Sequence, residues 1–387
     1  MRGHIKQRSK GTWSIVLDLG RDPTGKRQQK WHTVKGTKRA AQTELNNLLH
    51  ALQTGSYVEP TKLTVGEYLR RWLDDYAKTN VSAKTYERYD EIARLHLIPG
   101  LGHFVLTRLQ PLHIQELYSA MLQHGRKDRV GALSARTVLH HHRVLREALQ
   151  QAIRWQLLVR NPADAVEPPR PQRREIRTLD EEDAKLLMEI SKGTRLHFPI
   201  VLETGSGMRR GEILALRWKD VDLRAGTATV RQTLEETRSG IAFKQPKTQK
   251  GARLIPLPAF AIEALKRHRS EQAAHRLKVG DAYQDHGLVF PRPDGRPWSP
   301  ASFSVGFIAF ARRHGFESLT FHHLRHTHAT QLLKQGVHPK VVSERLGHST
   351  IGVTLDVYSH VLPSMQQDAA EKINVALRGG DDNVHER

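Results

Sequence analysis

The 387-residue sequence predicts a multidomain α+β protein: a small β-sheet-plus-helix unit, an all-α bundle, and a mostly α unit with a small antiparallel sheet. Three observations predict it. Apolar residues near the N-terminus alternate with period two and then switch to helical spacing; four amphipathic stretches follow; and a proline-rich basic run separates these from the remainder. A chain of this length exceeds one ordinary core, so two or three domains are expected.

In the first unit, Trp13, Ile15, Leu17 and Leu19 alternate with Ser14, Val16 and Asp18, which reads as a strand. Asp22-Pro23-Thr24-Gly25 supplies turn chemistry, and Trp31 and Val34 fall in a second strand. From Thr37 onward Ala41, Leu45, Leu48, Leu49 and Leu52 keep helical spacing, with Gly55 as the expected stop. Residues 1–62 hold 12 Lys and Arg against 4 Asp and Glu, a net +8. A basic sheet small enough to lie in a groove is a credible DNA reader.

Residues 64–160 read as the helical bundle. One helix opens at Val65-Gly66-Glu67-Tyr68-Leu69, a second runs from Ala83 towards Leu97 with Pro99-Gly100 as its stop, and a third starts after Pro111. A fourth extends from Ser134 to about Leu158, with Val138, Val144, Leu145, Leu149 and Ile153 on its apolar face. His140, His141 and His142 are consecutive on it, point in different directions, so cannot share one metal, and are expected at the surface or facing phosphate. Residues 161–177, with Pro168-Pro169-Arg170-Pro171, form an extended basic linker. Residues 178–362 make the third unit, and 363–387 a polar helical tail.

The composition narrows the partners. Hydrophobic content of 38% with 26% charged residues is a folded, non-membrane balance, while a net charge of +21 and a pI near 10.3 favour polyanions. The absence of cysteine excludes disulfides, thiolate nucleophiles and cysteine zinc sites. Met1–Lys10 is basic with no apolar stretch behind it, unlike a secretory signal, and no apolar run is long enough to span a bilayer. The expectation is a soluble protein inside a cell.

Four blocks in the third unit carry reactive side chains. Thr204-Gly205-Ser206-Gly207-Met208-Arg209-Arg210-Gly211-Glu212 reads as a glycine segment opening a helix with arginines in its first turn, suited to phosphate oxygens. Lys247 lies between the apolar runs Ile241-Ala242-Phe243 and Leu254-Ile255-Pro256, as if on the turn of a hairpin. His322 and Arg325 in Phe321-His322-His323-Leu324-Arg325-His326 share a helical face. His322 and His326 have zinc-like spacing, but no carboxylate or cysteine nearby completes a shell. Finally, Leu346-Gly347-His348-Ser349 closes one helix, and Tyr358 falls near the end of the next. A phenol, with a pKa of about 10, needs surrounding cations to act as a nucleophile. Tyr283, the other tyrosine of this unit, has no such blocks around it.

The ordered set Arg209, Lys247, His322-x-x-Arg325, His348 and Tyr358 resembles the tyrosine recombinase (phage integrase) family across essentially all of residues 178–362. Residues 64–160 resemble its core-binding domain. Residues 1–60 resemble the arm-binding domain, a three-stranded sheet plus helix, of integrases from temperate phages and conjugative transposons. One departure is His323, where the family commonly has Asp.

The resemblance implies a site-specific recombinase that cleaves and rejoins DNA through a 3′-phosphotyrosine on Tyr358, integrating or excising a mobile element. Arg209 and Arg325 would bind the non-bridging oxygens, Lys247 would protonate the leaving 5′ oxygen, His322 would assist proton movement at the tyrosine, and His348 would hydrogen-bond the phosphate. Glu212 would orient the arginines. It implies no metal or nucleotide cofactor, double-stranded DNA attachment sites as partner, a homotetramer on DNA joined through the tail, accessory DNA-bending or excision factors, and a cytoplasmic, nucleoid-associated location. A type IB topoisomerase shares the chemistry, but the arm-like unit and the tail argue against it. A catalytically inactive DNA-binding protein is the other alternative, and the six filled positions argue against that.

Overall fold

The computed structural model describes residues 2–21, 25–54, 57, 61–126, 131–172, 177–245, 251–358 and 363–378. They fall into two compact units, Met1–Arg173 and Arg174–Arg387.

In the first unit β1 (Arg2–Ser9), β2 (Thr12–Arg21) and β3 (Arg27–Lys35) form an antiparallel sheet in that order. Residue patterning pointed only to β2 and β3. β1 holds a single apolar residue, Ile5, and its place comes from pairing, with Ile5 opposite Ile15. The helix α1 (Lys38–Gln53) starts where Thr37 accepts the Ala40 N–H at 3.2 Å and packs Leu45 against Ile15 and Leu17. The alternation in β2 is incomplete: Ser14 and Val16 are buried too, because neighbouring strands flank this central one on both sides. Trp31 pairs with Val16 on the sheet face opposite Ile15 and Leu17, and is 62% exposed. The expected stop at Gly55 lies outside the described residues.

The bundle has its own core. α2 (Val65–Trp72) opens with a reciprocal cap between Thr64 and Glu67 and continues through a π-turn into α3 (Lys78–Asn80). α4 (Ala83–Ile92) also passes through a π-turn, Ala93–Leu97, into α5 (Ile98–Leu101). Pro99-Gly100 therefore does not stop this helix at Leu97. Pro99 sits at the start of a new helical register, where its missing N–H leaves no gap. α6 (Pro111–His124) follows, then α7 (Ala135–Arg154), capped by Ser134 and ended by Trp155 and by Gln156 at φ 58°. His141 and His142 are buried, contrary to expectation, because the inward stripe of α7 is wide enough to take them. His141 bonds the Thr137 carbonyl at 2.6 Å and His142 the Tyr118 hydroxyl at 3.0 Å.

The second unit opens with α8 (Glu181–Ile190), α9 (His197–Ser206) and α10 (Arg210–Ala215). Five short strands follow: β4 (Val221–Asp222), β5 (Thr227–Val230), β6 (Thr233–Thr237), β7 (Gly240–Lys244) and β8 (Arg253–Pro256). The helices α11 (Ala259–Val279), α12 (Pro300–Arg313), α13 (Phe321–Lys334), α14 (Pro339–Leu346), α15 (Ile351–Tyr358) and α16 (Pro363–Arg378) complete it. Leu187, Ile200, Ile213, Ile255, Phe303, Phe307 and Leu324 belong to one continuous core.

The strands flanking Lys247 do not form the expected hairpin. β7 pairs with β6 across a tight turn at Gly240 (φ 115°), while β8 crosses to β5, in the order β4-β5-β8. A turn this short lets β7 take its nearest neighbour, so β7 and β8 belong to two different sheets. Among the described residues no helix is long and apolar enough to cross a membrane.

Candidate active site

Two left-handed glycines shape the site. Gly207 (φ 67°) ends α9, so the glycine block closes one helix instead of opening the next, and Arg209 becomes the N-cap of α10. A Cβ on Gly207 would fall 2.6 Å from the His328 ring. Gly347 (φ 67°) ends α14, with its N–H donating to the Glu344 carbonyl at 2.9 Å and that of His348 to Ser343 at 3.0 Å.

The last carbonyls of a helix lack partners along the helix and carry its negative dipole end. In α14 three consecutive ones each accept an arginine. Arg253 Nε donates to the Arg345 carbonyl at 2.7 Å, Arg325 Nη2 to Leu346 at 2.8 Å, and Arg209 Nη2 to Gly347 at 2.8 Å. Arg325, only 2% exposed, also donates Nη1 to the Gly207 carbonyl at 2.7 Å, tying the two glycine turns together.

Glu212, buried at 4% exposure, joins the arginines from the other side. Its Oε1 accepts Arg209 Nη1 at 2.8 Å and Arg253 Nη1 at 3.2 Å; its Oε2 accepts the Arg209 backbone N–H at 2.9 Å and Arg253 Nη2 at 2.8 Å. Those four contacts fill the usual capacity of a carboxylate. Burial pushes its pKa up, but the Arg253 hydrogen bond and the charges of Arg253 and Arg209 outweigh it, and the net shift is downward. Glu203 is different: fully buried, with neither carboxyl oxygen hydrogen-bonded, it is pushed by burial well above the carboxylate range despite Arg325.

His322, on the first turn of α13, and His348, just past Gly347, are both lowered to about 4. The surrounding protein is the first cause for each, and Arg325 the next. His326 packs edge-on against His322 with ring centroids 4.7 Å apart, and is lowered to about 3, by burial first. All are neutral at pH 7 in the free protein. His348 Nδ1 is 2.8 Å from the Thr354 hydroxyl. Among the described residues no cluster of metal-ligating side chains can hold an ion.

His323 acts as an N3 capping residue of α13: its Nδ1 accepts the Thr320 N–H at 3.2 Å, the work a carboxylate would do there. An imidazole can do this only while Nδ1 is unprotonated.

The structure thus brings Arg209, Arg325, His322 and His348 together. Lys247 lies outside the described residues, in the segment 246–250. Tyr358 is the last residue of α15, and its side chain lies outside the described part. Tyr283 lines a cavity of about 460 Å³ with His197, at the opposite end of α9 from Gly207.

Sequence reasoning missed Arg253, Arg345 and His328. Arg345 donates to the Gly205 carbonyl at 3.0 Å and to His328 Nε2 at 2.9 Å, bracing the same turn. Arg253 carried a readable signal. It shares a strand face with buried Ile255, and a cation on an inward face needs a buried partner.

Comparison with known proteins accords with this geometry. The model of the phage integrase family matches residues 177–365, and that of the phage integrase N-terminal SAM-like domain matches residues 64–122, together well over half of the chain. A tyrosine recombinase XerC-like protein of Caldanaerobacter subterraneus subsp. tengcongensis is 29% identical over 381 residues, covering 94% of this chain and 95% of that one. The fold is similar to a Tn1549 transposon integrase solved in complex with transposon right end DNA, at TM-score 0.68 and 22% identity, covering 80% of this chain and 99% of that one. It is also similar to a lambda integrase tetramer bound to a Holliday junction, at TM-score 0.57 and 20% identity, covering 89% and 95%. The chain belongs to the phage integrase family and is a tyrosine-type site-specific recombinase.

Proposed function

We propose that this recombinase integrates or excises a mobile element by cleaving DNA with Tyr358. The observation that carries the reading is the pair Arg209 and Arg325, held on adjacent carbonyls of one helix end with His348 following and His322 one turn from Arg325. Two fixed guanidiniums suit the equatorial oxygens of a pentavalent phosphorus, where charge accumulates in the transition state. The Tyr358 oxygen bonds to phosphorus and the bond to the 5′ oxygen breaks. The phenolic proton passes to neutral His322, and Lys247 gives a proton to the departing 5′ oxygen. A Thr354 hydroxyl donating to His348 Nδ1 leaves that ring's proton on Nε2, free to donate to the phosphate.

The sheet and α1, residues 1–60, read the arm-type sites of the DNA. The bundle, 64–160, and residues 178–362, joined by the linker 161–177, grip the core site. The tail, 363–387, joins neighbouring copies. In α16 Ile373, Val375 and Leu377 are exposed, which supports that use of the tail and assembly as a homotetramer on two sites. Accessory DNA-bending or excision factors complete the assembly, and the cytoplasm is where such DNA is reached.

Incubation with a nicked suicide substrate tests the nucleophile. Tyr358→Phe should bind core DNA and form no covalent adduct. Adducts with Tyr358→Phe, or their loss with Tyr283→Phe, would overturn the assignment.

A further inference from the structure

We propose that Arg253, on β8, is a positioning residue for strand cleavage: its guanidinium, shared between Glu212 and the Arg345 carbonyl, fixes Arg209 relative to the turn that presents His348. The inference rests on the reading of Arg209 as a transition-state ligand.

The Arg253 side chain is 8% exposed and directs its contacts inward. Nη1 and Nη2 both reach Glu212, Nε reaches the Arg345 carbonyl at 2.7 Å, and Nη1 also meets the Gly251 carbonyl at 3.2 Å. Arg209 is therefore held twice, directly by the Gly347 carbonyl and indirectly through Glu212 and Arg253 to a carbonyl two residues earlier on the same helix end. One contact leaves a guanidinium free to swing; two in different directions fix its plane. Gly347 is part of this fit. A Cβ there would lie 2.9 Å from Arg253 Nη1 and 3.1 Å from Cζ, so the bare turn is what lets the guanidinium lie against it.

The test uses full-length Arg253→Lys, which keeps the charge and loses the planar fork, with Arg253→Gln as the charge-free companion. Single-turnover cleavage at saturating protein should fall about 100-fold in Arg253→Lys, the scale expected for a catalytic group displaced by about 1 Å. The dissociation constant for core DNA should not change. Combining Arg253→Lys with Arg209→Ala should slow cleavage no further than Arg209→Ala alone, and a substrate with sulfur bridging at the 5′ position should give no rescue. A parental cleavage rate in Arg253→Lys would overturn the proposal. So would equal loss of binding and cleavage, fully multiplying defects with Arg209→Ala, or rescue by sulfur, which would place Arg253 behind Lys247 instead. If Arg209→Ala itself cleaves normally, the site assignment fails and this inference with it. If Arg209→Ala is defective and Arg253→Lys is not, the inference alone fails.

Discussion

Glu212→Gln replaces a carboxylate that serves four donors with an amide of the same shape. Two of the four contacts would then set N–H against N–H. The pair with Arg253 is buried at 4% and 8% side-chain exposure, and breaking such a pair by removing one charge costs about 3–5 kcal/mol. Arg209 is 41% exposed, so its contact adds about 0–1 kcal/mol at most. At about 2–4 °C per kcal/mol for a unit of this size, the second unit should melt roughly 6–24 °C lower at pH 7. Thermal unfolding of parent and variant by circular dichroism measures this. The pH dependence follows from the downward shift of Glu212. A carboxyl depressed on folding contributes stability that is full above its unfolded value, about 4.3, and is lost as pH falls through its folded value. The gap between parent and variant should therefore narrow below about pH 4. A gap at pH 7 of less than about 2 °C, or one that widens in acid, would refute the reasoning.

Lys247→Ala should cleave ordinary DNA very slowly yet cleave a 5′-sulfur-bridged substrate near the parental rate, since a thiolate leaves without a proton; equal impairment on both substrates would remove Lys247 as the acid. His323→Asp should match the parent in melting temperature at pH 7 and exceed it at pH 5, because the lowered His323 contributes its cap above about pH 6.5 and loses it as the ring protonates in acid; superimposable pH profiles would contradict this. Deleting residues 1–62 should leave cleavage of core sites intact while removing tight binding to distal sites and flattening its salt dependence; unchanged binding at every site would show that the sheet reads no DNA.

Much of this was legible in residue order. The helix starts after Thr37, at Val65 and at Ser134 and the stop at Gly347 follow from side-chain chemistry local to each helix end, and local chemistry survives in a linear reading. Pairing does not. β1 has too few apolar residues to announce itself, and β7 and β8, adjacent in sequence with apolar cores, choose different partners through long-range closure. The candidate site divides the same way. Arg209, Arg325, His322 and His348 stand in recognisable blocks, whereas Arg253 sits 41 residues from Glu212 and 92 from Arg345, linked to them only once the chain is folded. Pro99 and the buried His141 and His142 were misread because a π-turn and a wide helical stripe shift what faces the core.

The three arginines at the end of α14 grip backbone oxygens, and backbone oxygens have no genotype. Arg345 and Leu346 have side-chain work of their own, on His328 and in the core beside Val342, but what Arg253 and Arg325 hold at these positions is main-chain oxygen whatever the residue. At Gly347 a left-handed bend and a guanidinium leave no room for a methyl, so there the grip itself dictates the residue. Grafting this cradle onto another scaffold would therefore require copying the path of the main chain through residues 345–347 before any side chain is chosen.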